Sequence, residues 1–245
     1  TLNNPEKHNA FDDQIIAQLT EAFSAVAANT GVRVMLLASE GKSFSAGADL
    51  DWMKRMAGYS YQENFKDAQA LAEMLKTLHQ IPQPTIARVQ GAAFGGAVGL
   101  ISCCDMAVGS STASFALSEV KVGLVPATIS PYVIAAIGER AARRYFMTAE
   151  RFDAQIAQHI GLLSEVVNIE DLDNQLSQLI DVLLANGPEA VNAAKKLVSN
   201  VSGKAITKEL IDHTCEVIAG IRVSEQGQDG LNAFLDKRKP NWLKD

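Results

Sequence analysis

The sequence predicts a layered α/β fold with parallel strand pairing. Three observations predict it. Segments with helical spacing of apolar residues alternate with short β-branched and aliphatic runs, and the helices are long enough to serve as crossovers between parallel strands. Between Val89 and Asp105 an extended stretch gives way to a glycine pair and then to an apolar run, the pattern of a strand, a tight turn and a buried helix. From about Asp153 the pattern becomes mostly helical.

From Asp12 to Ala28 the apolar residues Ile15, Ile16, Leu19, Phe23 and Val26 recur at helical spacing, Asp12 or Asp13 can cap the start, and Gly31 lies just past the end. Val32 to Ala38 reads as a buried strand, and Ser39 to Ala48 as a loop of small and polar residues. A second long helix, Tyr61 to Leu78, carries Phe65, Ala68, Leu71, Ala72, Leu75 and Leu78 on one face and stops before Pro82-Gln83-Pro84. Thr85 to Gln90 is the next buried strand. In the glycine pair beyond it, Gly95 and Gly96 accept backbone angles that a Cβ hinders. The helix they open offers unpaired N–H groups, and such a start attracts negative charge.

After that helix, Asp105 to Val108 and Ser114 to Leu117 are short enough for strands, and helical patterns resume beyond Pro126 and Pro131. Leu163 to Val167 is a last short strand, followed by helices near Glu170 to Leu184 and Pro188 to Asn200. Gly187-Pro188-Glu189 has the chemistry of a helix start, so a C-terminal helical region over residues 187–245 is expected to follow a core over 1–186. Its last helices lie near Thr207 to Ile221 and Glu225 to Lys237.

Composition excludes several functions. The 245 residues are 47% hydrophobic, enough for a sizeable core, and the longest apolar runs fall short of a membrane span. A net charge of −6 argues against a dedicated nucleic-acid surface, although Lys237-Arg238-Lys239 forms a local basic patch. Three cysteines, two of them adjacent at Cys103 and Cys104, make no disulfide framework and point to a reducing compartment, read here as the cytoplasm. His8, His79, His159 and His213 show no metal-ligand spacing, so no metal is expected. Gly91, Gly95, Gly96 and Gly99 do not make G-x-G-x-x-G, no G-x-x-x-x-G-K-[ST] occurs, and a nucleotide-phosphate cradle is not expected. No G-x-S-x-G is present either.

The chemistry resides in three short stretches. Ser43 to Leu50 places small residues where a backbone N–H would face a ligand without obstruction, with Asp49 set to cap the next element. Gly96 offers a second such N–H, and two converging amides suit the oxygen of an enolate formed from an acyl thioester. Glu119 is a carboxylate within the otherwise apolar stretch Phe115 to Pro126; burial would raise its pKa toward a useful range. By itself Glu119 equally fits a strand-end acid paired with Lys121 or facing solvent.

Asn4 to Phe11, Phe44 to Leu50, Gly91 to Asp105, Phe115 to Pro126 and Phe234 to Lys239 resemble, in order, the successive signatures of the crotonase family, the enoyl-CoA hydratases and isomerases. The resemblance implies a superhelix of ββα turns whose opening strands would precede residue 1, and a C-terminal helical region used in trimerisation, giving a homotrimer or a dimer of trimers. It implies an acyl-CoA substrate, with CoA as part of the substrate and no further cofactor. It assigns Ala48 and Gly96 N–H to the oxyanion hole and Glu119 to proton transfer, and it sets Ala46, Asp49 and Leu50 along CoA. Phe234 and Lys237 would meet CoA near a neighbouring subunit.

One departure from the family pattern bears on mechanism. Hydratases of the family carry two glutamates, and the position matching the first is Gly99. Gly99 serves either to make space or to let helices pack. A hydratase would then work with one acid. An isomerase, moving a proton from C2 to C4, needs only one; a third possibility is an inactive CoA-binding or assembly protein. Residues 47–56, 118–133 and 138–146 resemble bacterial 3-methylglutaconyl-CoA hydratases, which implies a branched glutaconyl-type substrate of leucine or terpene breakdown. Its second carboxylate would call for a cation such as Lys54, Arg55 or Arg88.

Overall fold

The computed structural model describes residues 1–243 and divides into two compact units. The first comprises Thr1–Asn29, Met35–Ile81 and Thr85–Leu176; the second comprises Thr30–Val34, Pro82–Pro84 and the chain from Ser177 onward.

In the first unit, α1 (Asp13–Ala28) is capped by Asp12, whose carboxylate accepts from the amides of Gln14 and Ile15, and it buries Ile16 and Phe23. Helix α2 (Leu50–Met56) is followed by α3 (Tyr61–His79), which opens on a reciprocal capping box between Ser60 and Glu63 and buries Met74, Leu75 and Leu78. Two sheets run through the unit. The four-stranded sheet is wholly parallel, in the order β1 (Met35–Leu37), β2 (Thr85–Val89), β4 (Met106–Ser110), β7 (Glu165–Val167). The second sheet is built from very short strands: β3 (Ala93–Phe94) pairs parallel with β5 (Ser114–Ala116), and β5 antiparallel with β6 (Phe152–Asp153).

Isolated bridges extend this second sheet. Ser45 pairs parallel with Ala93, Ala93 is in register with Phe115, and Phe115 with Phe152, so one row of residues crosses the sheet. The repeat unit of the fold is then visible. A strand in the first sheet, a short extended step into the second and a helix recur as β1, Ser45, α2; as β2, β3, α4 (Gly96–Cys103); and as β4, β5, α5 (Ser130–Thr148). This is the expected ββα superhelix. Helix α4 is almost wholly apolar and largely interior, burying Ala97, Val98, Leu100, Ile101 and Cys103, with Gly96 and Ser102 half-buried, as a helix without a charged face must be. A short helix α6 (Ala154–His159), capped by Asp153, leads to β7.

The second unit is helical, with α8 (Pro188–Val201), α9 (Lys208–Val223) and α10 (Glu225–Leu235) following α7 (Leu172–Ala185), whose first residues belong to the first unit. Pro188 sits in the first turn of α8, and Thr207 and Ser224 cap α9 and α10. No helix among the described residues is long and apolar enough to cross a membrane.

Two expectations need correction. The strand expected over Val32–Ala38 shrinks to Met35–Leu37, because Val32 to Val34 form no ladder with β2. Glu119 does not end a strand: β5 stops at Ala116, and Glu119 opens a single 3-10 turn, Glu119–Val122, closed by Gly123.

Candidate active site

The parallel strands of the second sheet end together, and the segments leaving them converge. After Ser45 comes the 46–49 loop, after β3 the Gly95-Gly96 turn, and after β5 the turn that carries Glu119. In α/β folds the space beyond the carboxyl ends of parallel strands is where ligands are handled.

The first loop is held by the opening segment of the chain. Asn9, in a left-handed conformation that Asn tolerates, donates to the carbonyls of Glu40 (2.7 Å) and Ser43 (2.9 Å). Ala46 N–H donates to His8 O, and Ser45 Oγ donates to Asn9 O and accepts from Gly47 N–H. Phe11 N–H donates to Gly47 O (2.8 Å) and Asp49 N–H to Phe11 O (3.1 Å), leaving the amide of Ala48 between them with no partner among the described residues. Asp49 then caps α2, its Oδ1 accepting from Asp51 N–H (2.8 Å) and Trp52 N–H (3.1 Å) while Oδ2 accepts from Lys7 Nζ (2.8 Å). The Lys7 ammonium, with the Trp52 and Asp51 amides, holds the Asp49 carboxyl below the ordinary aspartate range.

The Gly95-Gly96 turn lies against the first loop. Gly47 has φ +87°, and a Cβ there would meet Phe94 O at 2.6 Å while standing 3.9 Å from Gly96 N. The glycine therefore allows the loop to lie directly against the start of α4. Gly95 (φ +54°, ψ −121°) turns the chain so that Gly96 becomes the first residue of the helix, and no bond to Gly96 N–H is formed among the described residues. The loop that carries Ala48 and the turn that carries Gly96 thus pack against each other, each with an amide that has no partner among the described residues.

The acid completes the cluster. A Cβ on Gly95 would lie 3.2 Å from Glu119 Oε1, so the carboxylate overhangs the same turn. Glu119 is half-buried, its Oε2 is enclosed without a hydrogen-bond partner, and no ion pair to Lys121 or any other described residue forms. Burial pushes its pKa above the ordinary glutamate range, opposed in part by a backbone hydrogen bond. A groove of about 430 Å³ between α1 and β1 is lined by no titratable side chain.

The sequence profile of the enoyl-CoA hydratase/isomerase family matches residues 1–245. The chain belongs to that family, the crotonases. It is an enzyme of that family. A crystal structure of an enoyl-CoA hydratase from Shewanella pealeana is 47% identical, covers 99% of this chain and 94% of its own, and superposes with a TM-score of 0.94. A second, from Mycobacterium smegmatis, is 30% identical with a TM-score of 0.92 over 98% of this chain and 93% of its own. The mitochondrial enoyl-CoA hydratase domain-containing protein 3 of Xenopus laevis is 31% identical over 98% of this chain and 81% of its own length.

The crotonase frame makes position 99 informative. A Cβ on Gly99 would fall 2.3 Å from Ile129 Cγ2 and 2.8 Å from Ile129 Cβ, with Leu75 Cδ2 at 3.6 Å. Gly99 is thus a packing glycine, and the space it leaves is filled by Ile129. The second expected use of space, a cation for a distal carboxylate, finds each candidate already engaged: Lys54 with Asp51 (2.9 Å), Arg55 with Asp13, and Arg88 with Asp173 (2.7 Å).

Of the positions set along CoA, Ala46 and Leu50 are exposed beside the loop, Leu50 at 72%. All the polar atoms of the Asp49 side chain, and its N–H, are occupied within the chain. Phe234 and Lys237 belong to the second unit; Phe234 is 84% exposed on α10, and Lys237 takes a left-handed conformation just beyond it. Lys7 and Phe11, which organise the loop, carry no signal in spacing or periodicity that marks them as site residues.

Proposed function

We propose that the protein hydrates a 2-enoyl thioester of CoA. The observation that carries this reading is a half-buried carboxylate with an unpartnered oxygen, set against the Gly95 turn that opens α4, with the amides of Ala48 and Gly96 left without partners among the described residues. The thioester oxygen accepts from Ala48 N–H and Gly96 N–H, which stabilise the negative charge that grows on it as C3 is attacked, each donor lowering the barrier by about 3 kcal/mol. Glu119, as carboxylate, takes a proton from the attacking water and delivers it to C2 as the enolate collapses. Water is added across the double bond and Glu119 ends in its starting state.

Ile129 favours a second reading beside it. With the place of a second acid filled, Glu119 has to serve alone. Removing a proton from C2 of a 3-enoyl thioester and returning it to C4 is work for one base, so isomerisation uses the same parts without an ordered water. An inactive CoA-binding protein is disfavoured, because enclosing an unpartnered carboxylate costs stability that a site without chemistry has no reason to bear.

For the acyl group we propose a branched glutaconyl chain, on the resemblance of residues 47–56, 118–133 and 138–146 to such hydratases. Its distal carboxylate would compete with Asp51, Asp13 or Asp173 for a cation. CoA would run past Ala46, Asp49 and Leu50, with Phe234 and Lys237 supplied at a subunit boundary of a trimer or dimer of trimers. Helices α8 and α9 bury no residue within the chain and expose Val198, Ile218 and Val223, which supports an assembly through that region.

Crotonyl-CoA, a 3-enoyl-CoA and 3-methylglutaconyl-CoA, each incubated with the purified protein and followed by mass and absorbance, test these readings. A gain of one water, fastest with the branched dicarboxylic thioester, is the expected result. Double-bond migration at constant mass would replace hydration by isomerisation, and no change with any of the three would sink both.

A further inference from the structure

Phe11 touches the segments that carry both amides. Its main chain brackets Ala48, donating to Gly47 O on one side and accepting from Asp49 N–H on the other. Its ring, 1% exposed, lies against the backbone of Gly96: a Cβ there would fall 2.6 Å from Cζ and 3.2 Å from Cε2. Position 11 therefore meets one donor segment through its peptide groups and the other through its side chain. The thickness of that ring sets how closely the start of α4 approaches the 47–49 loop.

We infer that Phe11 is a positioning residue of the oxyanion hole, fixing the separation and aim of the Ala48 and Gly96 N–H groups. The inference rests on the reading of those two amides as the oxyanion pair. Physically it stems from how steeply such a pair depends on geometry: donors must sit about 2.7–3.1 Å from the oxyanion position, and a misplacement of about 1 Å can cost on the order of 100-fold in rate. The ring meets a residue with no side chain of its own, so a change of size at position 11 is transmitted to the donor's backbone with nothing between to absorb it.

The test uses the full chain with Phe11→Leu and Phe11→Ala, two readouts and one partner substitution. Butyryl-CoA labelled with carbon-13 at its thioester carbonyl cannot be hydrated, and its C=O stretch in the bound state reports polarisation by the two donors. The wild-type protein is expected to lower that stretch. Phe11→Ala is expected to lose most of the lowering and to reduce kcat on crotonyl-CoA on the order of 10- to 100-fold, with KM changed by no more than about threefold; Phe11→Leu falls between. Gly96→Ala, whose Cβ meets the ring, should lose activity alone and recover part of it when combined with Phe11→Leu.

If Phe11→Leu and Phe11→Ala keep the wild-type stretch and kcat while only thermal stability falls, Phe11 is a core filler and the inference is wrong. Should Phe11→Ala not fold, Phe11→Leu and the Gly96→Ala pair decide by the same criteria. An unshifted carbonyl in the wild-type complex is a different failure, that of the oxyanion reading itself, and it shows before any variant is made.

Discussion

Asp49 and Glu119 are two carboxylic acids of the same strand-end cluster, and the structure treats them oppositely. Asp49 is almost wholly enclosed, yet both its oxygens accept, from two helix amides and from Lys7, and its carboxyl is held below the ordinary range. Glu119 is more open, yet Oε2 has no partner and burial drives its carboxyl up. Enclosure therefore does not distinguish a structural acid from a reactive one; the fate of the lone pairs does. An acid whose oxygens are all engaged is fixed as an anion and braces the loop. One left unsatisfied can exchange a proton within a useful range of pH.

The strongest way to break this comparison is Glu119→Gln, which keeps shape and removes the base. Turnover of the enoyl thioester is expected to fall on the order of 1,000-fold while CoA affinity, measured by titration calorimetry, stays put; near-normal turnover would reduce Glu119 to a bystander. Next in size is Gly99→Ala, which probes the position that matches the family's first glutamate. Its Cβ would lie 2.3 Å from Ile129 Cγ2, an overpacking expected to cost about 1–3 kcal/mol in urea unfolding. Adding Ile129→Ala should restore part of it. Tolerance of Gly99→Ala at no cost would mean that the space beside the helix is not committed to Ile129.

Glu119 and Gly99 differ in how much of them is legible in the sequence. Glu119 is legible because a lone acid in an apolar stretch is a local pattern, as is the Gly95-Gly96 turn into α4. The long helices announce themselves by periodicity, and their ends lie within a few residues of expectation. The hidden part is long-range. The second sheet is made of strands two or three residues long and single bridges such as Ser45 with Ala93, too short for any alternation to show. The match of Gly99 to Ile129 spans thirty positions, that of Lys7 to Asp49 forty-two, and the contact of Phe11 with Gly96 eighty-five, counted on the sequence. Arg88 looks available for a ligand in the sequence because Asp173, its partner, lies in a distant helix.

Asp49→Ala sharpens the comparison from the structural side. It removes the α2 cap and the Lys7 pair together, so the Ala48 amide loses its support without any reacting group being touched. Initial rates are expected to fall on the order of tenfold, with a melting temperature lower by about 3 °C. Asp49→Asn, which keeps an oxygen for the cap, should lie between the variant and the wild type. A tenfold loss from Asp49→Ala with the Glu119 pH profile unchanged identifies a brace; a shifted profile would mean that the two acids are coupled.

The smallest effect is a matter of sign. Glu119 binds its proton more tightly in the folded state, so its favourable contribution is present below the ordinary glutamate range and is lost as pH rises through the raised value. Asp49 binds its proton less tightly when folded, so its contribution is present above the ordinary aspartate range and is lost as pH falls through the lowered value. At neutral pH, Glu119→Gln should therefore melt above the wild type, and Asp49→Asn below it. Both differences should close on acidification, from opposite sides. The wild-type rate should fall over the same acid limb, since a protonated Glu119 cannot accept a proton from water. Calorimetric scans of the three proteins across pH decide it: two melting differences of the same sign would mean that the acids are held alike, and the distinction between brace and base would have to be drawn from contacts other than their own.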